Sequence, residues 1–137
     1  MVTVNMAIEL NAAADKAWSL IGGYNDLPNW HPALKKSELS ENDSVRTLFL
    51  VGGGEVVDKL LIHNDNERTC SYAIVDSPLP VADYSAELKV IEQGSDKSTV
   101  EWSAEFNADG APDSEAIGVI EGIFHAGFDT LKDKFGG

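Results

Sequence analysis

Basic residues are scarce in this chain. Its 137 residues include 10 Lys and Arg against 23 Asp and Glu, a formal net charge of −13. A field of that sign repels phosphate backbones and anionic headgroups, which counts against nucleic-acid and membrane-surface partners. Cysteine is almost missing. Cys70 stands alone, so no internal disulfide forms, in keeping with a reducing, cytoplasmic setting. No apolar run approaches the ~20 residues that span a bilayer. The amino terminus alternates apolar and polar residues, so it reads as a strand and not as a signal peptide. The chain also lacks a G-x-S-x-G elbow, a phosphate-binding loop and a dinucleotide fingerprint. The spacing of His31, His63, His125 and Cys70 resembles no zinc site, and no metal or cofactor is expected.

What is present suffices for one domain over residues 1–137. Apolar residues make up 43%, and a 14.7 kDa chain buries roughly two-thirds of its surface on folding, leaving about 6,900 Å² exposed. Val2, Val4, Met6, Ile8 and Leu10 alternate with smaller or polar residues, which predicts a half-buried first strand. Asn11 is a candidate cap for a short helix whose inner face carries Ala14, Ala17, Trp18 and Ile21. Gly22-Gly23 ends it. A second helical turn is expected between Asn25 and Trp30, stopped by Pro32.

Strands are then expected over 34–39, 44–51, 55–63, 69–75, 82–93 and 98–107, bringing the count to about seven. Gly52-Gly53-Gly54 joins the second and third of these as a hairpin, and Ser77-Pro78-Leu79-Pro80 forms a stiff loop. The chain closes on a helix from about Pro112 to Lys134, with Ala116, Ile117, Ile120, Ile123, Phe124, Gly127, Phe128 and Leu131 on one broad face. Strand, two short helices, antiparallel strands and a long helix make an α+β fold.

A family likeness rests on particular residues: Ala17 to Ile21, Asn29-Trp30-His31-Pro32, Ser44 to Leu48, Tyr84 after the proline loop, Val100 to Ser103, and the final helix. With these the chain resembles the START-like, helix-grip superfamily (SRPBCC, polyketide cyclase/dehydrase and lipid transport), and within it small bacterial proteins of the MxaD/XoxI type. The resemblance implies a curved antiparallel sheet gripping the long helix, with an elongated cavity between them.

Strand parity combined with that geometry selects a cavity lining. Leu48, Leu50, Val56, Asp58, Leu60 and Ile62 face inward from the hairpin. Tyr72, Ile74, Val81, Tyr84, Ala86, Leu88, Trp102 and Ala104 follow from later strands, and Val119, Ile123 and Gly127 from the helix. Gly127 has two readings: it leaves volume for a ligand, or it admits close packing on Trp102. Asp58 has three. Arg46 shares its parity on the neighbouring strand, so a structural ion pair is favoured over ligand orientation and over catalysis. His31 is read as a surface histidine ending a helical turn, with ligand contact or proton shuttling as the alternative; His63 and His125 are placed on outward faces.

Binding of a small hydrophobic molecule, in a carrier, sensor or accessory role, is the leading function. A cyclase or dehydratase using Asp58 and a tyrosine such as Tyr84, with His31 as a further candidate, is the second. A protein-interaction module with a vestigial cavity is the third. Phe49, Val51, Val57 and Leu61 have the opposite parity and define a possible homodimer surface.

Overall fold

A computed structural model describes residues 2–136. Strand β1 (Val2–Leu10) is followed by helix α1 (Ala14–Ile21), a 3-10 turn (Leu27–Asn29), β2 (Leu34–Ser40), β3 (Val45–Leu50), β4 (Glu55–Asn64), β5 (Thr69–Asp76), β6 (Val81–Gly94), β7 (Lys97–Ala108) and helix α2 (Asp113–Phe135). All seven strands join one antiparallel sheet in the order β1-β7-β6-β5-β4-β3-β2. The total surface of 7042 Å² is close to what the mass alone predicts.

Parity builds the sheet. In β7, Val100, Trp102, Ala104 and Phe106 are buried while Glu101 and Glu105 are exposed, and Glu9 and Glu87 are exposed on β1 and β6. These four carboxylates therefore lie on the outer face of the sheet. On the inner face lies α2, whose Ala116, Ile120, Phe124, Gly127, Phe128 and Leu131 are buried. Burying each of the large side chains contributes about 1.5–3 kcal/mol. Asp113 and Glu115 in its first turn and Lys132 and Lys134 in its last complement the helix dipole.

Asn11 is not the cap of α1. The helix begins two residues later behind Ala13, without a side-chain cap, and the Asn11 amide instead donates to the Gly136 carbonyl beyond α2. Gly22 closes α1, its amide donating to the Trp18 carbonyl at 2.7 Å. A Cβ at Gly22 would fall 2.3 Å from the Trp18 indole, so the glycine lets the ring lie flat against the helix end.

The hairpin parity breaks once. A bulge between Leu60 and Ile62 sets Ile62 opposite Ser71 and turns it outward, where it is 56% exposed. The same irregularity brings His63 opposite buried Cys70. There its ring stacks on Trp18, with Nε2 2.7 Å from the Gly22 carbonyl. The expectation that Ile62 faces inward is corrected on this ground; His63 stacks on Trp18 yet is exposed, as is His125.

Candidate functional site

Between the concave sheet and α2 the structure encloses a cavity of about 80 Å³. Its walls are drawn from most of the fold: Leu27 and His31 around the 3-10 turn, Ala33 and Leu34 at the start of β2, and Arg46, Leu48 and Leu50 on β3. Val56 and Asp58 come from β4, Tyr72 and Ile74 from β5, Tyr84 from β6, Trp102 from β7 and Ile123 from α2. Leu79, on the proline loop, completes the mouth. Opposite it, the glycine turn is held by Gly53 donating to Leu50 and Val51 donating to Ala33. Gly53 and Gly54 have φ of 95° and 99°, a region costly to side-chain-bearing residues. A Cβ at Gly54 would lie 3.7 Å from Pro78 Cγ, so the two loops approach each other there.

One buried ion pair stands in this apolar wall. Arg46 and Asp58 are directly opposed in the β3–β4 register, and Arg46 Nε and Nη2 donate to Asp58 Oδ2 at 3.1 and 2.5 Å. Arg46 Nη1 donates to the Tyr24 carbonyl, and the guanidinium lies 4.2 Å from the Tyr24 ring centroid and 5.0 Å from that of Tyr72. Burial pushes the Asp58 carboxyl up from its ordinary value, against the pull of Arg46's charge and hydrogen bonds. Protonating Asp58 would leave a buried guanidinium without its counter-charge, so the pair stays ionised at neutral pH. Asp58 Oδ1 has no hydrogen-bond partner in the protein.

An aromatic layer closes the inner end. Trp102 stacks on Phe124 with centroids 4.2 Å apart, and its Nε1 donates to Tyr72 Oη at 3.2 Å. Trp30 tilts against Trp102 at 5.5 Å. His31 beside it is 2% exposed. The Ala33 amide donates to Nδ1 at 3.2 Å, so Nε2 carries the proton and donates to the Ile123 carbonyl at 2.8 Å. Burial lowers its pKa, and the ring is neutral. Burial also raises the Tyr72 and Tyr84 hydroxyls above the usual phenol range and the Cys70 thiol to about 11. None of these groups is tuned toward neutral pH.

The family described as polyketide cyclase / dehydrase and lipid transport matches residues 1–136. This chain belongs to that family. Among solved structures it is similar to XoxI from Bacillus cereus, with 35% identity and a TM-score of 0.96 over 98% of this chain and 96% of that one. A protein from Thermobifida fusca is 27% identical, with a TM-score of 0.85 over 99% and 94%. The Zhui aromatase/cyclase from Streptomyces sp. R1128 shares the fold at 17% identity, with a TM-score of 0.74 over 94% and 87%. Comparison with curated proteins gives no match. The seven-stranded helix-grip architecture is thus that of a START-like, SRPBCC-type protein.

In this family member the cavity brings together Leu48, Leu50, Val56, Asp58, Tyr72, Ile74, Tyr84, Trp102 and Ile123 from the residues that parity selected. Leu60 and Val81 pack against the core but outside the cavity wall, and Ala86, Leu88 and Ala104 are likewise core. Val119, half-buried one turn before Ile123, does not reach it. Gly127 lies outside the lining because a Cβ there would sit 2.8 Å from Trp30 and 3.1 Å from both His31 and Trp102. Its role is close approach of rings and not spare volume. His31 is no surface residue: Pro32 ends the turn, but the backbone carries the ring inward against α2. Leu27, Ala33, Leu34 and Leu79 come from loops and element ends, where parity has no purchase. Arg46 had a usable signal, since the parity that paired it with Asp58 also put it on the inner face.

On the outer side, Val51 and Leu61 are 62% and 50% exposed, while Phe49 and Val57 are half-buried. Lys36 Nζ covers the Phe49 ring at 4.5 Å. Among the described residues no helix is long and apolar enough to cross a membrane.

Proposed function

We propose that the protein binds a small hydrophobic molecule in the sheet–helix cavity, as a cytoplasmic carrier, sensor or accessory protein. The observation that carries this reading is the cavity itself: a mostly apolar wall interrupted by a few polar groups, the composition a small-molecule site needs. At about 80 Å³ it is well below the roughly 300 Å³ at which drug-sized pockets begin. The occupant is therefore narrow, with any remainder passing between the glycine turn and the proline loop. Native mass spectrometry of freshly purified protein tests this. A co-purified small molecule, displaced by an added hydrophobic ligand, is the expected result. A bare chain that takes up no hydrophobic probe would overturn the reading and favour an interaction module with a vestigial cavity.

The cyclase or dehydratase reading draws on one observation, that Asp58, His31 and Tyr84 share a cavity. Their chemistry favours binding. Asp58 Oδ2 is committed to Arg46, both His31 nitrogens to backbone groups, and burial makes the tyrosines weaker acids. Turnover of a candidate substrate that Asp58→Asn abolished without weakening its binding would reverse this preference.

A further inference from the structure

One lip of the cavity mouth hangs on a histidine. Leu34 lies opposite Leu50, and the Val51 amide donates to the Ala33 carbonyl at 2.9 Å, so the start of β2 and the glycine turn move as one piece. A register shift between Leu34 and Lys36 separates this piece from the regular β2–β3 ladder. The ladder is interrupted there, which makes Lys35 a hinge. A Cβ at Gly52 or Gly53 would meet nothing within 4 Å, so nothing packs against the tip of the turn. What ties the lip to the body of the protein is His31. Nδ1 accepts the Ala33 amide at 3.2 Å, and Nε2 donates to the Ile123 carbonyl of α2 at 2.8 Å.

This tie exists in one protonation state only. A neutral ring with its proton on Nε2 accepts at Nδ1, whereas an imidazolium carries N–H on both nitrogens and meets the Ala33 amide donor to donor. Among the described residues no free charge faces the ring to compensate the added proton. From α2 it meets a backbone carbonyl, while His125 and Asp129 lie on the exposed side of that helix. From β7 it meets the Trp102 ring, while Glu101 and Glu105 are exposed on the other face. Arg46 of β3 and Asp58 of β4 share the cavity but are paired with each other, and Tyr72 of β5 and Tyr84 of β6 are neutral. Asp26, Lys35 and Lys36, near it in the chain, are exposed. The ring itself is 2% exposed, and burial holds its pKa below the ordinary value. A proton therefore costs least where the ring has left its site for water.

We propose that His31 is an acid-released latch: protonation of its ring frees Ala33, lets the lip swing about Lys35, and opens the mouth between the glycine turn and the proline loop. In the open form the ring takes up its proton near the ordinary value of about 6.5, which the closed form resists. Below that pH the ratio of open to closed form rises by up to about tenfold per pH unit. Release of a bound hydrophobic molecule in acid follows from the ligand-binding reading; the opening itself does not depend on that reading.

Amide exchange with solvent, followed by NMR on the full chain without added ligand, measures the opening. Protection factors are compared from about pH 7 to about pH 5, which removes the pH dependence of the exchange chemistry itself. Protection at Val51 should fall about tenfold or more over that range. The Asp109 amide, whose 3.0 Å bond to the Pro80 carbonyl belongs to the opposite lip, is the control and should keep its protection. His31→Asn places an acceptor oxygen where Nδ1 stands and takes up no proton there, so Val51 protection in that variant should not vary with pH. If the variant fails to fold, the contrast between Val51 and Asp109 in the wild type decides alone. Constant protection at Val51, an equal loss at Asp109, or an undiminished loss in His31→Asn overturns the latch. Each of these outcomes leaves the ligand-binding reading standing, since that reading is tested by the co-purified molecule.

Discussion

Gly127→Ala separates packing from ligand volume with one methyl group. In a helix interior alanine is favoured over glycine by about 1 kcal/mol, so on propensity alone the change should stabilise. The structure opposes this. The new Cβ would stand 2.8 Å from Trp30 Cζ3 and 3.1 Å from His31 Cδ2 and Trp102 Cζ3. Trp30, His31 and Trp102 are 1%, 2% and 2% exposed, so no ring can swing into solvent. Overpacking of this kind costs about 1–3 kcal/mol. Set against the propensity gain, the net is a loss of up to about 2 kcal/mol. Gly118 and Gly122 of the same helix serve as internal controls, since both are exposed and a Cβ at either meets nothing within 4 Å. Alanine there should stabilise by roughly 0.5–1 kcal/mol each. Urea unfolding followed by tryptophan fluorescence measures all three variants. If Gly127→Ala proved as stable as Gly122→Ala, the close approach of the rings to α2 would be wrong, and glycine would instead be leaving volume in the cavity.

Tyr72→Phe removes the acceptor of the Trp102 Nε1–H and strands a buried donor, so it should cost about 1–3 kcal/mol in the same unfolding assay; an unchanged midpoint would refute the bond. Asp58→Asn should destabilise by about 3–5 kcal/mol by leaving Arg46 uncompensated, and replacing both with leucine should recover most of that loss. A double variant no more stable than the single one would show the cost to lie elsewhere. His31 is buried neutral with its pKa below the ordinary value, so the unfolded chain takes up its proton first as the pH falls. Its contribution to stability is full above about pH 6.5, is lost at up to ~1.4 kcal/mol per pH unit below that, and levels off beneath the folded-state pKa. His31→Gln should flatten this part of the curve, and an identical pH profile for variant and wild type would contradict the assignment.

Alternation is a local property, and it placed β1 and β7 to within a residue or two because neither strand carries an irregularity in their shared register. It also set Arg46 across from Asp58, since β3 and the first half of β4 pair without a shift. A bulge has no signature in alternation. One extra residue at Leu61 reverses every later side chain of β4, which sent Ile62 out and His63 against Trp18. His31 failed for a different reason. The histidine before a helix-stopping proline is locally a surface residue, and only the packed structure supplies the Ile123 carbonyl and the Ala33 amide that satisfy both ring nitrogens.

Gly127 ties these two levels together. Read along the chain, a glycine in the middle of an apolar helix face is a defect of about 1 kcal/mol with no visible compensation. In the fold, that missing methyl lets Trp30, His31 and Trp102 meet α2 at contact distance. The His31 bond to Ile123 then anchors Ala33, and the Ala33 carbonyl receives the Val51 amide of the glycine turn. A hydrogen-bonded path thus runs from the middle of α2 through His31 to the mouth of the cavity. Enlarging residue 127 should therefore disturb the mouth as well as the core. In the Gly127→Ala protein, amide exchange at Val51 should accelerate relative to Gly122→Ala by more than the difference in global stability explains. Equal exchange after that correction would mean that the turn is held without help from His31.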